Sequence, residues 1–160
     1  MRYSKGKYIF SRKETFSVET TLNKVILGYL QKLHKCLSEI KSHGVPMRYV
    51  ERQAVIDGIE NSYEADVDKA DVLFMKDIEE LIWVFGSEEP DITSYDFDIE
   101  LVSGEKHENG TSSVSFLTTG LNGKDGEEEK ERYHNDLDAY NKRKSQGYAL
   151  FGEIYNDLSW

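Results

Sequence analysis

The sequence has one cysteine, two prolines and no long apolar run. A single thiol, Cys36, cannot close an internal disulfide and cannot build a cysteine-based zinc site. Two prolines in 160 residues exclude a proline-rich disordered linker. No window approaches the roughly eighteen consecutive apolar residues of a membrane-crossing helix. The opening residues, MRYSKGKYIFSRKE, contain no apolar stretch, so no secretory signal is expected. The common catalytic signatures are missing as well: there is no GxGxxG, Walker loop, HExxH or GxSxG.

The remaining reactive residue types are sparse. His34 falls within an expected helix, and His43, His107 and His134 fall at loop or surface positions, so all four read as surface histidines rather than metal ligands. Glu64, Asp66, Asp68 and Asp71 imitate a calcium loop only in part. The glycine needed at its sixth place and the glutamate at its twelfth are Lys69 and Met75. They read as a solvated acidic approach to a helix. Cys36 has no base positioned beside it and reads as a buried structural thiol. Neither a cofactor, a metal nor a catalytic residue is expected, and the chain reads as non-enzymatic.

Charge is abundant and uneven. The chain carries 20 Lys and Arg against 30 Asp and Glu, a net charge of −10. From Met1 to Arg52 there are eleven basic residues and four acidic ones, Glu14, Glu19, Glu39 and Glu51, a local charge of +7. The other 108 residues carry nine basic and 26 acidic groups, or −17. Such a chain is poorly suited to wrapping nucleic acid directly. It leaves room for a small anion at the basic end and a basic protein at the acidic end. The two parts can also neutralise each other within one fold.

The hydropathy pattern predicts a mainly α (α+β) fold: a compact bundle of three to four helices, with a small β-hairpin inserted before the C-terminal helix. Residues 1–160 read as a single domain, with 1–16 as a basic aromatic arm or strand and 87–126 as the hairpin and a mobile loop. From Val18 to Ile40, apolar residues recur at steps of three and four (Leu22, Val25, Ile26, Tyr29, Leu30, Leu33, Leu37), with Lys24, Lys32, Lys35 and Lys41 on the opposite face. Ser17 or Thr20 is the expected N-cap, and Gly44, in a left-handed conformation, the expected stop before Pro46. Met47 to Ile59 predicts a second helix with Val50, Ala54, Val55 and Ile59 inward. Asp71 to Phe85 predicts a third, capped by Asp68 or Asp71, with Leu73, Phe74, Ile78, Leu81, Ile82 and Phe85 on one stripe and Trp83 at the core's margin. Tyr95, Phe97, Ile99 and Leu101 alternate with Asp96, Asp98 and Glu100, the period of a strand with one polar face. Asn109-Gly110 marks a turn and Val114 to Thr118 a returning strand. From Glu127 onward a long helix presents Tyr133, Leu137, Tyr140, Tyr148, Phe151, Ile154, Tyr155 and Leu158, interrupted by Gly147 and Gly152.

Two constellations are candidates for function. Arg2, Lys5, Lys7, Tyr8, Arg12 and Lys13, joined by Arg48 and Arg52, combine bidentate phosphate donors with an aromatic face and suit a small phosphorylated ligand such as a nucleotide. Glu88, Glu89, Asp91, Asp96, Asp98 and Glu100 form an acidic strip suited to a partner's nucleic-acid-binding groove, and equally to a hydrated strand face that blocks aggregation.

Three segments carry a resemblance: FSRKETFSVETTLNKVILGYLQKLHK, FMKDIEELIWVFGSEEPDI and RKSQGYALFGEIYNDLSW. Leu30, Leu33 and Lys35, then Ile78, Ile82, Trp83 and Phe85, then Gly147, Leu150, Phe151, Tyr155, Leu158 and Trp160, resemble the motifs of a family of small tailed-bacteriophage proteins. The likeness covers about half of the chain and departs where Ser159 separates Leu158 from Trp160. It implies a shared fold and transfers no activity. It also implies action in the host bacterial cytoplasm against a host factor or defence signal. Sequestering a small nucleotide signal is the first reading, with the pocket built between subunits if the chain is a homo-oligomer. An acidic inhibitor or DNA mimic acting on a host nucleic-acid-binding protein is the second. A small enzyme and a virion component are further alternatives.

Overall fold

The computed structural model describes residues 2–4, 7–9, 18–40, 43–106 and 112–158. The protein is mainly helical, with an antiparallel hairpin before its C-terminal helix. In chain order the elements are β1 (Arg2–Ser4), β2 (Lys7–Ile9), α1 (Val18–Glu39), α2 (Met47–Asp57), α3 (Val67–Gly86), β3 (Phe97–Lys106), β4 (Ser112–Gly120) and α4 (Gly126–Ile154). Short 3-10 turns at Ser62–Glu64, Ile92–Ser94 and Tyr155–Leu158 join or finish them. The residues group into two compact units, Met1–Ser87 with Ser145–Trp160, and Glu88–Lys144. Among the described residues, no helix is long and apolar enough to cross a membrane.

In the first unit α3 is the central stave. Ala70, Phe74, Ile78, Leu81 and Phe85 recur every three or four residues and are all buried. Full burial of a side chain such as Phe74 or Ile78 contributes about 1.5–3 kcal/mol. Leu30 and Leu37 of α1, Tyr49, Val50 and Ala54 of α2, and Ile154 and Leu158 at the end of the chain complete this core. Trp83 packs half-buried at its edge, as expected. The Tyr29 hydroxyl donates to the Leu158 carbonyl and ties the last turn to α1. The arm at the start of the chain forms β1 and β2, paired antiparallel with Tyr3 opposite Tyr8.

The ends of the helices differ from expectation. α3 begins at Val67, not Asp71, and its cap is Asp66, whose carboxylate accepts from the backbone N–H groups of Asp68 (3.1 Å) and Lys69 (3.2 Å). Asp66 keeps the extended backbone that an N-cap requires, whereas Asp68 and Asp71 are already helical. Gly44 is not left-handed. The left-handed glycine that closes a helix is Gly58 (φ 69°), which caps α2 by donating to the carbonyls of Ala54 and Val55. Ser17 lies outside the described residues, and Thr20 lies inside α1.

Four expected inward or buried positions also change. Tyr148, expected on the inner face of the last helix, is 40 % exposed. Val55 is 81 % exposed. The buried α2 positions are Tyr49, Val50, Gln53 and Ala54, and at about 100° per residue Val55 falls on the opposite side. Tyr155 is 63 % exposed because the helix gives way to a tighter 3-10 turn there, which turns Leu158 inward instead. Cys36 is exposed rather than buried.

In the second unit β3 and β4 pair from Phe97 opposite Gly120 to Lys106 opposite Ser112, with an irregularity between Ser103 and Lys106. Asp125 caps α4, accepting from the N–H groups of Glu127 (2.9 Å) and Glu128 (3.1 Å). Glu127, Glu128 and Glu129 sit in the first turn, where the helix dipole favours negative charge. Tyr133 of α4 packs edge-on against Tyr95 at 5.2 Å and lies 6.1 Å from the Phe97 ring. The loop from Gly120 to Gly126 is tied down: Leu121 N–H donates to the Asp96 carbonyl (2.8 Å), and the Asn122 amide to the Asp96 carboxylate (2.7 Å). The Asn109-Gly110 turn lies outside the described residues.

The glycines interrupting α4 have different standing. A Cβ on Gly147 would lie 2.0 Å from Val84 Cγ2, whereas a Cβ on Gly152 would meet nothing within 4 Å. Val84 is β-branched and fully buried, so it cannot swing away. We expect Gly147→Ala to destabilise the protein by about 1–3 kcal/mol and Gly152→Ala to leave it unchanged or raise stability by up to about 1 kcal/mol. Urea unfolding of the two variants checks this contrast.

Candidate functional site

The basic constellation is only partly brought together. Lys5, Arg12 and Lys13 lie outside the described residues; the backbone places Arg2 in β1 and Lys7 and Tyr8 in β2. Arg48 and Arg52 stand one turn apart on α2 and line a cavity of about 300 Å³ together with Tyr49, Asp77, Leu150, Glu153 and Ile154. Both guanidinium groups are already engaged. Arg52 Nη1 donates to Asp77 Oδ2 at 3.0 Å, and Arg48 Nε lies 3.2 Å from Asp157 Oδ2. Tyr49 is fully buried, with its hydroxyl donating to the same Asp77 oxygen at 3.1 Å. Its ring therefore packs on Phe74, at 5.0 Å, and offers no open face to a base. Two carboxylates held against two arginines make this a structural polar network, not a ready phosphate cradle.

Asp77 organises that network from α3. Burial, followed by the nearby Asp77 charge and its hydrogen bond, pushes the Tyr49 hydroxyl well above the ordinary tyrosine value of 10.0. A raised folded-state value means the contribution to stability is fully present below pH 10 and lost as the pH rises further. We expect stability to fall steeply above about pH 10, and Tyr49→Phe to remove that part of the decline. At neutral pH, Tyr49→Phe should cost about 1 kcal/mol. Asp77→Ala should cost about 2–3 kcal/mol because it strands both Tyr49 and Arg52. Chemical denaturation of each variant at pH 7 and pH 10.5 measures both effects.

The acidic residues are placed differently. Asp98 and Glu100 share one face of β3, about 6–7 Å apart by strand geometry, and both are exposed. Asp96 is not part of that row. It precedes the strand and is half-buried, with its carboxylate accepting from Asn122. Asp91 accepts from the Thr93 N–H at 2.9 Å, which lowers its carboxyl below the ordinary range, while Glu88 and Glu89 are exposed beside it in sequence. The unit Glu88–Lys144 holds 15 acidic and seven basic residues, a net charge of −8. Lys124 and Arg132 approach Glu129 at 3.8 and 3.0 Å, and Lys130 approaches Glu127 at 3.5 Å. Among the described residues, none of Glu88, Glu89, Asp91, Asp98 and Glu100 is in an ion pair.

The histidines serve separate neighbours. His34 Nε2 lies 3.2 Å from Glu79, and the His43 ring, largely buried rather than on the surface, lies 3.5 Å from Asp71. His134 is exposed, and His107 lies outside the described residues. Among the described residues, no group of three His, Cys, Asp or Glu could hold a metal ion. Asp66 is occupied as a helix cap, and Lys69 bridges Asp57 (3.4 Å) and Asp66 (3.9 Å), so the loose calcium-like spacing has ordinary structural uses.

The alternation of β3 predicts the apolar row Phe97, Ile99 and Leu101 opposite a polar one. It does not predict that this row is left uncovered: Phe97 is buried, but Leu101 is 69 % exposed and Phe116, across the ladder, 71 %. Comparison with protein families, curated proteins and solved structures gives no match.

Proposed function

We propose that this chain is a non-enzymatic binding protein whose working surface is the acidic Glu88–Lys144 unit, and that its partner is a basic protein surface. The motif resemblance adds the setting: a tailed-bacteriophage protein acting in the host cytoplasm on a nucleic-acid-binding protein, as an inhibitor or DNA mimic. The observation that supports this reading is the excess of acid in that unit, in which five carboxylates, Glu88, Glu89, Asp91, Asp98 and Glu100, are in no ion pair among the described residues. Such a field speeds encounter with a basic partner and repels nucleic acid.

The test is competition. In a panel of purified basic nucleic-acid-binding proteins held on duplex DNA, we expect the chain to displace DNA from at least one member. Displacement should weaken as salt rises. Replacing Asp98 and Glu100 together by Lys should weaken it about tenfold or more, which corresponds to at least about 1.4 kcal/mol. Displacement unaffected by the charge reversal overturns the proposal.

Sequestration of a nucleotide is the second reading, and the cavity beside Arg48 and Arg52 is the observation in its favour. A phosphate there would have to displace Asp77 and Asp157 from the two arginines. Thermal melting with cyclic and linear nucleotides should therefore show no stabilisation. A rise in melting temperature that disappears in Arg52→Ala would reinstate this reading.

A further inference from the structure

We infer that the outer edge of β3 accepts an extended, cationic segment of a partner protein in which basic and apolar residues alternate. This inference rests on the acidic-surface reading and deepens it by naming how the partner would be held.

Directly paired residues of an antiparallel ladder share a face. The register places Ile99 opposite Thr118, Leu101 opposite Phe116 and Ser103 opposite Val114. One face of the hairpin therefore carries Ile99, Leu101, Phe116 and Val114, which are 42, 69, 71 and 57 % exposed. At the hairpin's base the same face is covered. Phe97 is buried near Tyr133, and Thr118 accepts from Lys130 at 3.1 Å. α4 begins close against Thr119 and Gly120, so its cover extends over the base and leaves the four outer apolar residues open. A contiguous exposed apolar row of this kind marks a contact surface more often than a solvated one.

The edge is open too. Among the described residues β3 pairs with β4 alone, leaving the backbone groups that point away from β4 without a ladder partner. A strand added there would bring alternate side chains beside β3's two faces. One set would meet Ile99 and Leu101, and the other Asp98 and Glu100, which are exposed on the opposite face. Apolar residues suit the first set and lysine or arginine the second.

Charge selects among the occupants of such an edge. A second copy of this chain would juxtapose two units of net charge −8, and an anionic bilayer or a nucleic acid would be repelled in the same way. A cationic segment removes that penalty, and its alternation uses both faces of β3 at once.

The experiment uses the full chain and three peptides: an alternating Val–Lys octamer, an octamer of the same composition with valines and lysines in separate blocks, and octalysine. Binding is followed by calorimetry, and backbone amide exchange is followed in β3. We expect the alternating peptide to bind at least tenfold more tightly than the block peptide and to slow exchange of the β3 amides that face away from β4. Leu101→Ser with Phe116→Ser should erase the preference while leaving octalysine binding intact. Both positions are exposed, and the helical circular dichroism of that variant confirms its fold. Equal affinity for the alternating and block peptides, or unchanged β3 exchange in the unmodified chain, overturns the edge-pairing inference and leaves the acidic-surface reading standing. Failure of all three peptides to bind overturns that reading itself.

Discussion

Burial of α3 is the constraint on which the first unit depends. Its apolar residues occupy more of the helix circumference than one neighbour can cover. α1 and α2 both pack on it, and the end of the chain returns to add Ile154 and Leu158. The close approach at Gly147 belongs to the same requirement. Val84 is fully buried, and the backbone at Gly147 approaches it so closely that a Cβ there would lie 2.0 Å from its Cγ2. A glycine that looks like a weakness in a helix is therefore what lets two helices close on a β-branched residue.

The polar groups in this unit serve that packing. Asp77 lies among α3's apolar residues but faces Tyr49 and Arg52, so a buried hydroxyl and a half-exposed cation share one carboxylate. Asp157 holds Arg48 in the same region. Positive charge that stands out in the linear sequence is thus balanced by acids that arrive from distant positions. In the Glu88–Lys144 unit the balance fails in the other direction. Lys130 and Arg132 of α4, with Lys124 from the loop before it, engage Glu127 and Glu129, and the acids of the hairpin and its approach are left in excess. The same unit leaves its outer apolar face open, so charge and hydrophobic surface occur together on β3 and β4.

Periodicity made most of the elements legible. α1 ends within one residue of the expected boundary, the α3 stripe is the buried one, and the two hairpin strands lie where alternation placed them. Helix ends were harder to read. Asp66, Asp68 and Asp71 are equivalent as residue types, and only the extended backbone at Asp66 distinguishes the cap. Val55, Tyr155 and Cys36 misled for a related reason: apolar or thiol character reveals a preference for burial, and the direction of the side chain decides whether it is met. For the candidate sites, the composition of the acidic strip was legible and its geometry was not, since Asp96 is drawn out of the row by Asn122.

The sequence by itself determined the helical character, the hairpin and the segregation of charge, because these follow from local periodicity and residue counts. Tertiary structure decided which charges remain available. Arg48 and Arg52 are neutralised by residues 109 and 25 positions away, Asp157 and Asp77, which no local pattern links to them. It also decided that the apolar face of β3 and β4 is covered only at its base. Alternation sorts side chains to two faces of a strand, but the point at which a covering helix begins is set by the loop and packing that place it.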